Sequence, residues 1–246
     1  MEIGPARLFG VGLGPGRPDY MTVRALRVLA RADRLVHFCK SGRRGNARTI
    51  ADAAVGADPA REIALVYPVT TEIPADHPDY AALIGAFYGE STARLLAEIE
   101  AGRTVAVLCE GDPFFYGSFM HLWRRLKDRV ATEVVPAVTG MSGAWTRAGA
   151  PITWGDDVLT VVPGTLPEAE LTRRLAATDA AVVMKLGRNL PKVRAALAAA
   201  GLLERAIYVE RATMAGERIV PLADLPADEA APYFSLVIVP GQGRRL

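Results

Sequence analysis

The sequence predicts an α/β protein built from two domains. Short apolar strands alternate with helical patterns through the first half, and the second half adds a segment with hairpin character. Such alternation is typical of a mostly parallel sheet covered by helices on both faces. A chain of 246 residues is long enough for one large domain or two modest ones. We expect an N-terminal α/β domain over residues 1–130 and a C-terminal one over 131–246.

In the first half, strand and helix patterns follow one another closely. Thr22 is placed to cap the first helix, and Gly102 is placed to end a long amphipathic helix. The strands are predicted over residues 8–11, 35–38 and 104–109, and the helices from Val23, over 78–99 and over 119–126. A short, stiff boundary is expected near residues 128–136.

In the second half, antiparallel pairing is expected beside parallel pairing. Residues 211–222 have hairpin character, with Gly216 at the turn. The strands are predicted near residues 133–136 and over 158–162, 180–184, 207–209 and 235–239, and the helices over 168–177 and 190–200.

Composition excludes several classes of protein. The net charge is only +2 and the basic residues are spread along the chain, which argues against a nucleic-acid partner. Cys39 and Cys109 form neither a disulfide framework nor a zinc pattern, and His37 and His121 do not complete a metal set. The first residues lack a signal-peptide core, and no apolar run is long enough to span a membrane. We expect a cytoplasmic protein without a metal.

The most informative segment is the loop after the strand at 104–109. It reads Glu-Gly-Asp-Pro-Phe-Phe-Tyr-Gly over residues 110–117. In open α/β sheets, ligands bind just beyond the carboxyl ends of strands. Gly111 allows close backbone approach, and the aromatic residues at 114–116 provide a wall for a flat ligand. The pattern predicts a ligand loop; the alternative is a tight turn whose aromatic side chains join the core.

A second Gly-rich loop, over residues 10–16, raises the alternative of a dinucleotide-dependent oxidoreductase. The dinucleotide pattern needs Gly-x-Gly-x-x-Gly opening directly into a helix, with an acidic residue on the next strand. Here Pro15 interrupts the glycines, several residues separate Gly16 from the next helix, and the second strand ends without an acid. A pyrophosphate site is therefore disfavoured.

Six motifs in order resemble the tetrapyrrole methylases, S-adenosylmethionine-dependent enzymes of corrin, sirohaem and related pathways. They span nearly the whole chain and comprise residues 12–16, 111–117, 135–140, 184–187, 210–213 and 235–239. Within the family, segments 109–120 and 184–189 are most similar to members that methylate a corrin precursor. One departure is Ala137, where many relatives have glycine.

The resemblance implies a class III methyltransferase fold: two α/β domains with a cofactor cleft between them. It implies three groups of site residues. The methionine and ribose parts of S-adenosylmethionine, and of the product S-adenosylhomocysteine, would contact Gly111, Asp112, Pro113 and Tyr116, with Thr139 and Gly140 continuing that wall. The adenine would contact Leu186, Ala212, Thr213, Ser235 and Leu236, largely through backbone groups. The tetrapyrrole would face Gly14, Pro15 and Gly16.

Simpler roles remain open for some of these residues. Leu186 and Leu236 are of the type usually found in a core, and Thr213 could be a turn hydroxyl. Relatives of this kind also suggest a homodimer.

The chemistry predicts what else the site needs. A sulfonium methyl group is already electrophilic, so the protein must mainly orient a nucleophilic carbon. Glu110, His37 and His121 are candidates for the base that removes the remaining proton, and the sequence does not choose among them. Because the substrate carries many carboxylates, the basic loop with Lys40, Arg43 and Arg44 is predicted to bind it; the alternative is a solvated surface loop. A non-catalytic tetrapyrrole carrier is a further alternative.

Overall fold

The computed structural model describes residues 7–69 and 77–243. The chain divides into two compact units, Met1–Thr139 and Gly140–Leu246. The expectation about a signal peptide concerns the first residues of the chain, of which residues 1–6 lie outside the described ranges.

The first unit contains a parallel five-stranded sheet in the order β3-β2-β4-β1-β5. Its strands are β1 Leu8–Gly12, β2 Arg34–Cys39, β3 Glu62–Val66, β4 Val105–Cys109 and β5 Thr132–Val135. Its helices are α1 Val23–Arg31, α2 Asn46–Val55, α3 Pro78–Glu100 and α4 Phe119–Leu126, with short 3-10 helices at Pro18–Tyr20 and Pro59–Arg61.

Alternation along the strands explains how this sheet is covered. Phe9 and Val11 of β1 pack in one core with α1 and α2, whereas Leu8 packs in a second core with α3 and α4. Only glycine fits at position 10, because a Cβ there would lie within 2.6 Å of three atoms of the Phe119 ring. Both faces of the sheet are therefore buried, as the near-continuous apolar strands predict.

The second unit contains a mixed sheet in the order β6-β7-β10-β8-β9. Its strands are β6 Leu159–Pro163, β7 Ala180–Met184, β8 Ile207–Glu210, β9 Arg218–Pro221 and β10 Ser235–Val239. Its helices are α5 Gly140–Arg147, α6 Glu168–Ala176 and α7 Leu190–Ala199, with 3-10 helices at Gly187–Asn189, Leu203–Arg205 and Leu222–Asp224. β6 and β7 are parallel, whereas β10 runs antiparallel to β7 and β8.

Most predicted elements are confirmed. Thr22 caps α1 by accepting a hydrogen bond from the Ala25 amide, and the long helix ends just before Gly102, which has φ 82°. The expected hairpin is the antiparallel pair β8–β9. Among the strands and α-helices of the described residues, β3, α2 and α5 were not predicted. The strand expected near residues 133–136 as the start of the second half is β5, which instead pairs with β1 in the sheet of the first unit.

Candidate functional site

In the first unit, the predicted loops meet at the carboxyl edge of the sheet. Strand β1 lies between β4 and β5, and all three are parallel. The loops that follow them, residues 13–16, 110–117 and 136–139, therefore emerge side by side. The structure thus brings the predicted tetrapyrrole-facing loop next to the predicted cofactor loop.

A backbone contact joins the first two of these loops. The Gly111 N–H donates to the Gly14 carbonyl, with 3.0 Å between N and O. Both glycines have positive φ, 79° at Gly14 and 65° at Gly111. Beside them, a Cβ on Gly12 would lie 2.5 Å from the Ala137 Cβ and 2.8 Å from the Gly111 carbonyl oxygen. The loops pack so closely that only glycine fits at position 12.

The carboxylate of Asp112 organises this edge from within. One oxygen accepts from the Phe114 amide at 2.9 Å and the other from the Ala137 amide at 3.0 Å. Asp112 therefore ties its own loop to the segment that leads to Thr139, the last residue of the first unit. The predicted role in cofactor binding remains a prediction, and the hydrogen bonds show a structural role beside it.

The aromatic residues of this loop separate into two groups. Phe114 packs against Trp123 of α4, with ring centroids 5.1 Å apart. Tyr116 is 42% exposed and has φ 55°, which is uncommon for a residue other than glycine. The rings of Phe115 and Tyr116 contact each other, with centroids 5.0 Å apart, so the aromatic side chains form two clusters rather than one wall. Phe114 is itself 45% exposed, and Tyr116 is presented to solvent in a strained backbone conformation, as at many ligand sites.

The basic loop after β2 is exposed, but its arginines differ. Lys40, Arg43 and Arg44 are all exposed. Arg44 forms ion pairs with Asp52, on α2, and with Glu62 at 3.8 Å. No ion pair to the Arg43 side chain is found in the described parts of the chain. Arg43 is therefore the arginine better placed to bind an anion.

Behind this loop lies a buried ionic network that sequence reasoning missed. Arg48 of α2 is 0% exposed and contacts Glu62 at 3.3 Å and Asp52 at 2.8 Å. His37 of β2 shares Glu62, with Nε2 2.8 Å from Oε1. Burial tends to raise the pKa of Glu62, but the hydrogen bond and charge of His37, with the charges of Arg48 and Arg44, lower it overall. The one signal of this network in the sequence was Arg48, which lies at a position with the spacing of a helix core.

The three candidate bases lie in different surroundings. Glu110 accepts from the Ala47 amide at 3.1 Å, and burial raises the pKa of its carboxyl group. His37 is engaged by Glu62. His121 stacks on Tyr88, with ring centroids 4.5 Å apart, and burial with the charges of Arg125 and Arg124 lowers its pKa, so its imidazole is neutral at pH 7.

In the second unit, the predicted adenine residues also gather at one edge of a sheet. Because β10 is antiparallel to β7 and β8, its first residues lie beside the last residues of those strands; Ser235 pairs with Glu210. The loops beginning at Lys185 and Arg211 emerge at that edge. Gly140 is placed separately, as the first residue of α5.

Burial separates the roles of these residues. Leu186 is 1% exposed and belongs to the core formed with α6 and α7, whereas Leu236 and Ala212 pack on the opposite face of the sheet with α5. The Ser235 hydroxyl donates to the Pro232 carbonyl at 2.6 Å. Because its side chain is buried in the core, Leu186 would contact a ligand through its backbone, as the resemblance implies; the Ser235 hydroxyl donates its proton to Pro232 and can still accept a hydrogen bond.

Three residues other than glycine at this edge have left-handed backbone conformations. Lys185 has φ 56°, Arg211 has φ 49° and Thr213 has φ 68°. Thr213 is buried, and its Oγ1 has no hydrogen-bond partner among the described residues. Lys185 and Arg211 were not predicted, because the sequence gives no signal for left-handed residues other than glycine and asparagine.

The described residues show neither a metal-binding cluster nor a membrane-spanning helix. No cluster of three or more His, Cys, Asp or Glu side chains is arranged to hold a metal ion in residues 7–69 and 77–243. Over the same ranges, no helix combines the length and apolar character needed to cross a membrane.

Comparison with known proteins gives a consistent result. The family model described as Tetrapyrrole (Corrin/Porphyrin) Methylases matches residues 7–226. The chain is 55% identical, over 97% of both chains, to a Sinorhizobium protein named precorrin-2 C(20)-methyltransferase. It is 32% identical, over 95% of both chains, to the cobalt-precorrin-2 C(20)-methyltransferase of Salmonella typhimurium.

Solved structures show the same fold. A cobalt precorrin-4 methyltransferase superimposes with a TM-score of 0.70 at 23% identity, covering 95% of this chain and 94% of its own. The uroporphyrin-III C-methyltransferase of Thermus thermophilus, complexed with S-adenosylhomocysteine, gives a TM-score of 0.67 at 22% identity, covering 95% and 92%.

Proposed function

This chain belongs to the tetrapyrrole (corrin/porphyrin) methylase family, and we propose that it is an S-adenosylmethionine-dependent methyltransferase that methylates C20 of precorrin-2, giving precorrin-3A for the corrin ring of cobalamin. The observation that carries the proposal is the full-length similarity to the Sinorhizobium enzyme. The cobalt-containing analogue is the second candidate substrate, because the Salmonella relative is named for it.

The residues at the two sheet edges fit the cofactor. Thr213 offers a buried hydroxyl without a partner, and Gly111 and Tyr116 hold left-handed conformations at a strand end where backbone can approach a ligand. We assign the methionine and ribose contacts to Gly111, Asp112, Pro113, Tyr116, Thr139 and Gly140. We assign the adenine contacts to Leu186, Ala212, Thr213, Ser235 and Leu236.

In the proposed mechanism, the main task of the protein is to orient the macrocycle toward the methyl group of the cofactor. When bound, S-adenosylmethionine supplies an electrophilic sulfonium methyl group. The chain must hold the macrocycle with its nucleophilic carbon in line, and orientation can contribute roughly 7–11 kcal/mol in favourable cases. The glycine loop with Gly14, Pro15 and Gly16 and the basic side chains of Lys40 and Arg43 support this role, the latter by binding carboxylates. Arg44 is assigned to the same loop, with its charge shared by Asp52.

A methyl-transfer assay tests the proposal directly. Purified protein is given S-adenosylmethionine with metal-free precorrin-2 in one reaction and the cobalt-containing macrocycle in another, and NMR identifies the methylated carbon. Methylation at C20 of the metal-free macrocycle is the expected result. Methylation elsewhere, or none, contradicts it, and binding of the macrocycle without binding of S-adenosylmethionine would indicate a carrier.

As the finer part of the proposal we also propose a homodimer, which the resemblance suggests, located in the cytoplasm, the location expected from the sequence. Light scattering of the purified protein and fractionation of cells that express it test these two points.

A further inference from the structure

The loop after β8 holds two residues in a conformation that their own chemistry disfavours. Arg211 and Thr213 have φ of 49° and 68°. Thr213 is β-branched, and left-handed backbone is a genuine outlier for such residues. Strain of this kind persists only where surrounding contacts hold it.

Glu217 provides the contact that holds Thr213. Its Oε2 accepts a hydrogen bond from the Thr213 amide at 2.7 Å. Arg147 of α5 donates to the same carboxylate, with Nη2 2.7 Å from Oε1 and Nε 2.9 Å from Oε2. The hydrogen bond from Arg147, against the opposing effect of burial, lowers the pKa of Glu217, so the carboxylate is ionised at neutral pH. The loop is thereby fixed to a helix through a charge-assisted pair.

This arrangement leaves the Thr213 hydroxyl available for a hydrogen bond to a ligand. Thr213 is 6% exposed, and its Oγ1 has no hydrogen-bond partner within the described parts of the chain. Buried polar atoms are almost always satisfied, so this hydroxyl at a strand edge is a group that a bound ligand would satisfy.

We infer that Glu217, held by Arg147, is a positioning residue that fixes Thr213 so that its buried hydroxyl binds S-adenosylmethionine. The inference rests on the proposed methyltransferase function and adds to it two residues that do not themselves contact the cofactor. It assigns the ion pair a role in affinity rather than in general stability.

Calorimetric titration with S-adenosylhomocysteine tests the inference on the full chain. Loss of the acceptor in Glu217→Ala is expected to weaken affinity about tenfold, the effect of losing one hydrogen bond in a defined geometry. Glu217→Gln keeps an acceptor oxygen and is expected to remain within about threefold of the wild type. Glu229→Ala is the matched control, because Glu229 is similarly exposed and pairs with Arg218 on β9, and its affinity should be unchanged.

A second series separates positioning from general stabilisation. In a Thr213→Ala background the hydroxyl is gone, so adding Glu217→Ala is expected to weaken binding less than about twofold further. The KM for the macrocycle should not change in Glu217→Ala. If Glu217→Ala does not fold, Arg147→Met replaces it, because it removes the anchor and leaves the acceptor; about threefold weaker binding is expected.

The outcomes are distinguishable. A wild-type protein that binds no S-adenosylhomocysteine contradicts the proposed function itself. A wild type that binds, with Glu217→Ala or its replacement binding equally well, overturns the inference and leaves the function in place. An undiminished tenfold effect in the Thr213→Ala background also overturns it, since Glu217 would then act without the hydroxyl.

Discussion

At the scale of single residues, the close packing of the loops at the carboxyl edge of the first unit's sheet depends on Gly12, which has no side chain. Gly12 faces the Ala137 Cβ, the Gly111 carbonyl oxygen and Pro113 Cδ, all within 2.9 Å of where its own Cβ would be. Two of these neighbours belong to the predicted cofactor loop. The loop can lie against β1 only because position 12 contributes backbone alone.

Gly12→Ala is therefore expected to destabilise the protein by roughly 1–3 kcal/mol, the usual cost of overpacking. Denaturant unfolding measures it. Gly85→Ala in α3 is the control, since its Cβ would meet no atom within 4 Å and alanine favours a helix by roughly 0.5–1 kcal/mol. Adding Ala137→Gly to Gly12→Ala should recover part of the loss. A Gly12→Ala protein as stable as the wild type would mean that the loops separate easily.

At the scale of elements, the sequence predicted most of the strands and helices but not every apolar one: strand β3 was missed although Ile63 and Leu65 are buried. Strand β4 was found because it is an unbroken apolar run, and α3 because it is long and Gly102 marks its end. Helix α2 was missed because it is short and its buried face, Ala47, Ile50 and Ala51 with Arg48, has few large apolar side chains.

The site was predictable to a similar degree. Motif order identified the loops at the sheet edges, and parallel topology explains why they meet. The ion pairs of Glu62 and Glu217 were not predictable, because each joins residues whose proximity depends on the folded chain. Left-handed Lys185 and Arg211 were missed for the same reason: their conformation is imposed by tertiary contacts.

The loop after β2 gives a prediction that distinguishes its two arginines. Arg43→Ala is expected to raise the KM for the carboxylate-rich macrocycle severalfold and to weaken its dependence on salt, because a screened charge attraction is lost. Arg44→Ala should instead lower thermal stability, since Arg44 pairs with Asp52 and Glu62. Steady-state kinetics across a salt series, with melting curves, measure both. An unchanged KM for Arg43→Ala would make this a solvated surface loop.

The network that joins β2, β3 and α2 predicts a dependence of stability on pH. The pKa of Glu62 is lowered from 4.5 in the folded protein, so its ion pairs stabilise the fold above about pH 4.5 and are lost as pH falls through the lower folded value. Glu62→Gln is expected to lower the free energy of unfolding by roughly 1–3 kcal/mol at pH 7, because buried Arg48 loses a partner. As the pH falls, the free energy of unfolding of this variant should decrease less than that of the wild type.

Urea unfolding from pH 7 to pH 3 measures both effects of Glu62→Gln. Glu90→Gln, which changes the same charge at an exposed position of α3, is the control. Parallel curves for the wild type and Glu62→Gln through the acid range would show that other carboxyl groups control the transition.

At the scale of the whole molecule, each unit carries its own set of predicted cofactor residues at a sheet edge. The proposal draws on both sets, so ligand binding should stabilise the folded chain by linkage. S-adenosylhomocysteine at one hundred times its Kd is expected to add about 2.7 kcal/mol, which raises the Tm of a protein of this size by roughly 5–10 °C. NAD at the same concentration should leave the Tm unchanged, because the loop with Pro15 lacks the dinucleotide pattern.

Gly111→Val and Thr213→Ala, one in each unit, should each reduce the rise in Tm that S-adenosylhomocysteine causes. A shift with NAD but not with S-adenosylhomocysteine would favour the oxidoreductase alternative, and a shift that only one variant reduces would assign the cofactor to that variant's set of residues.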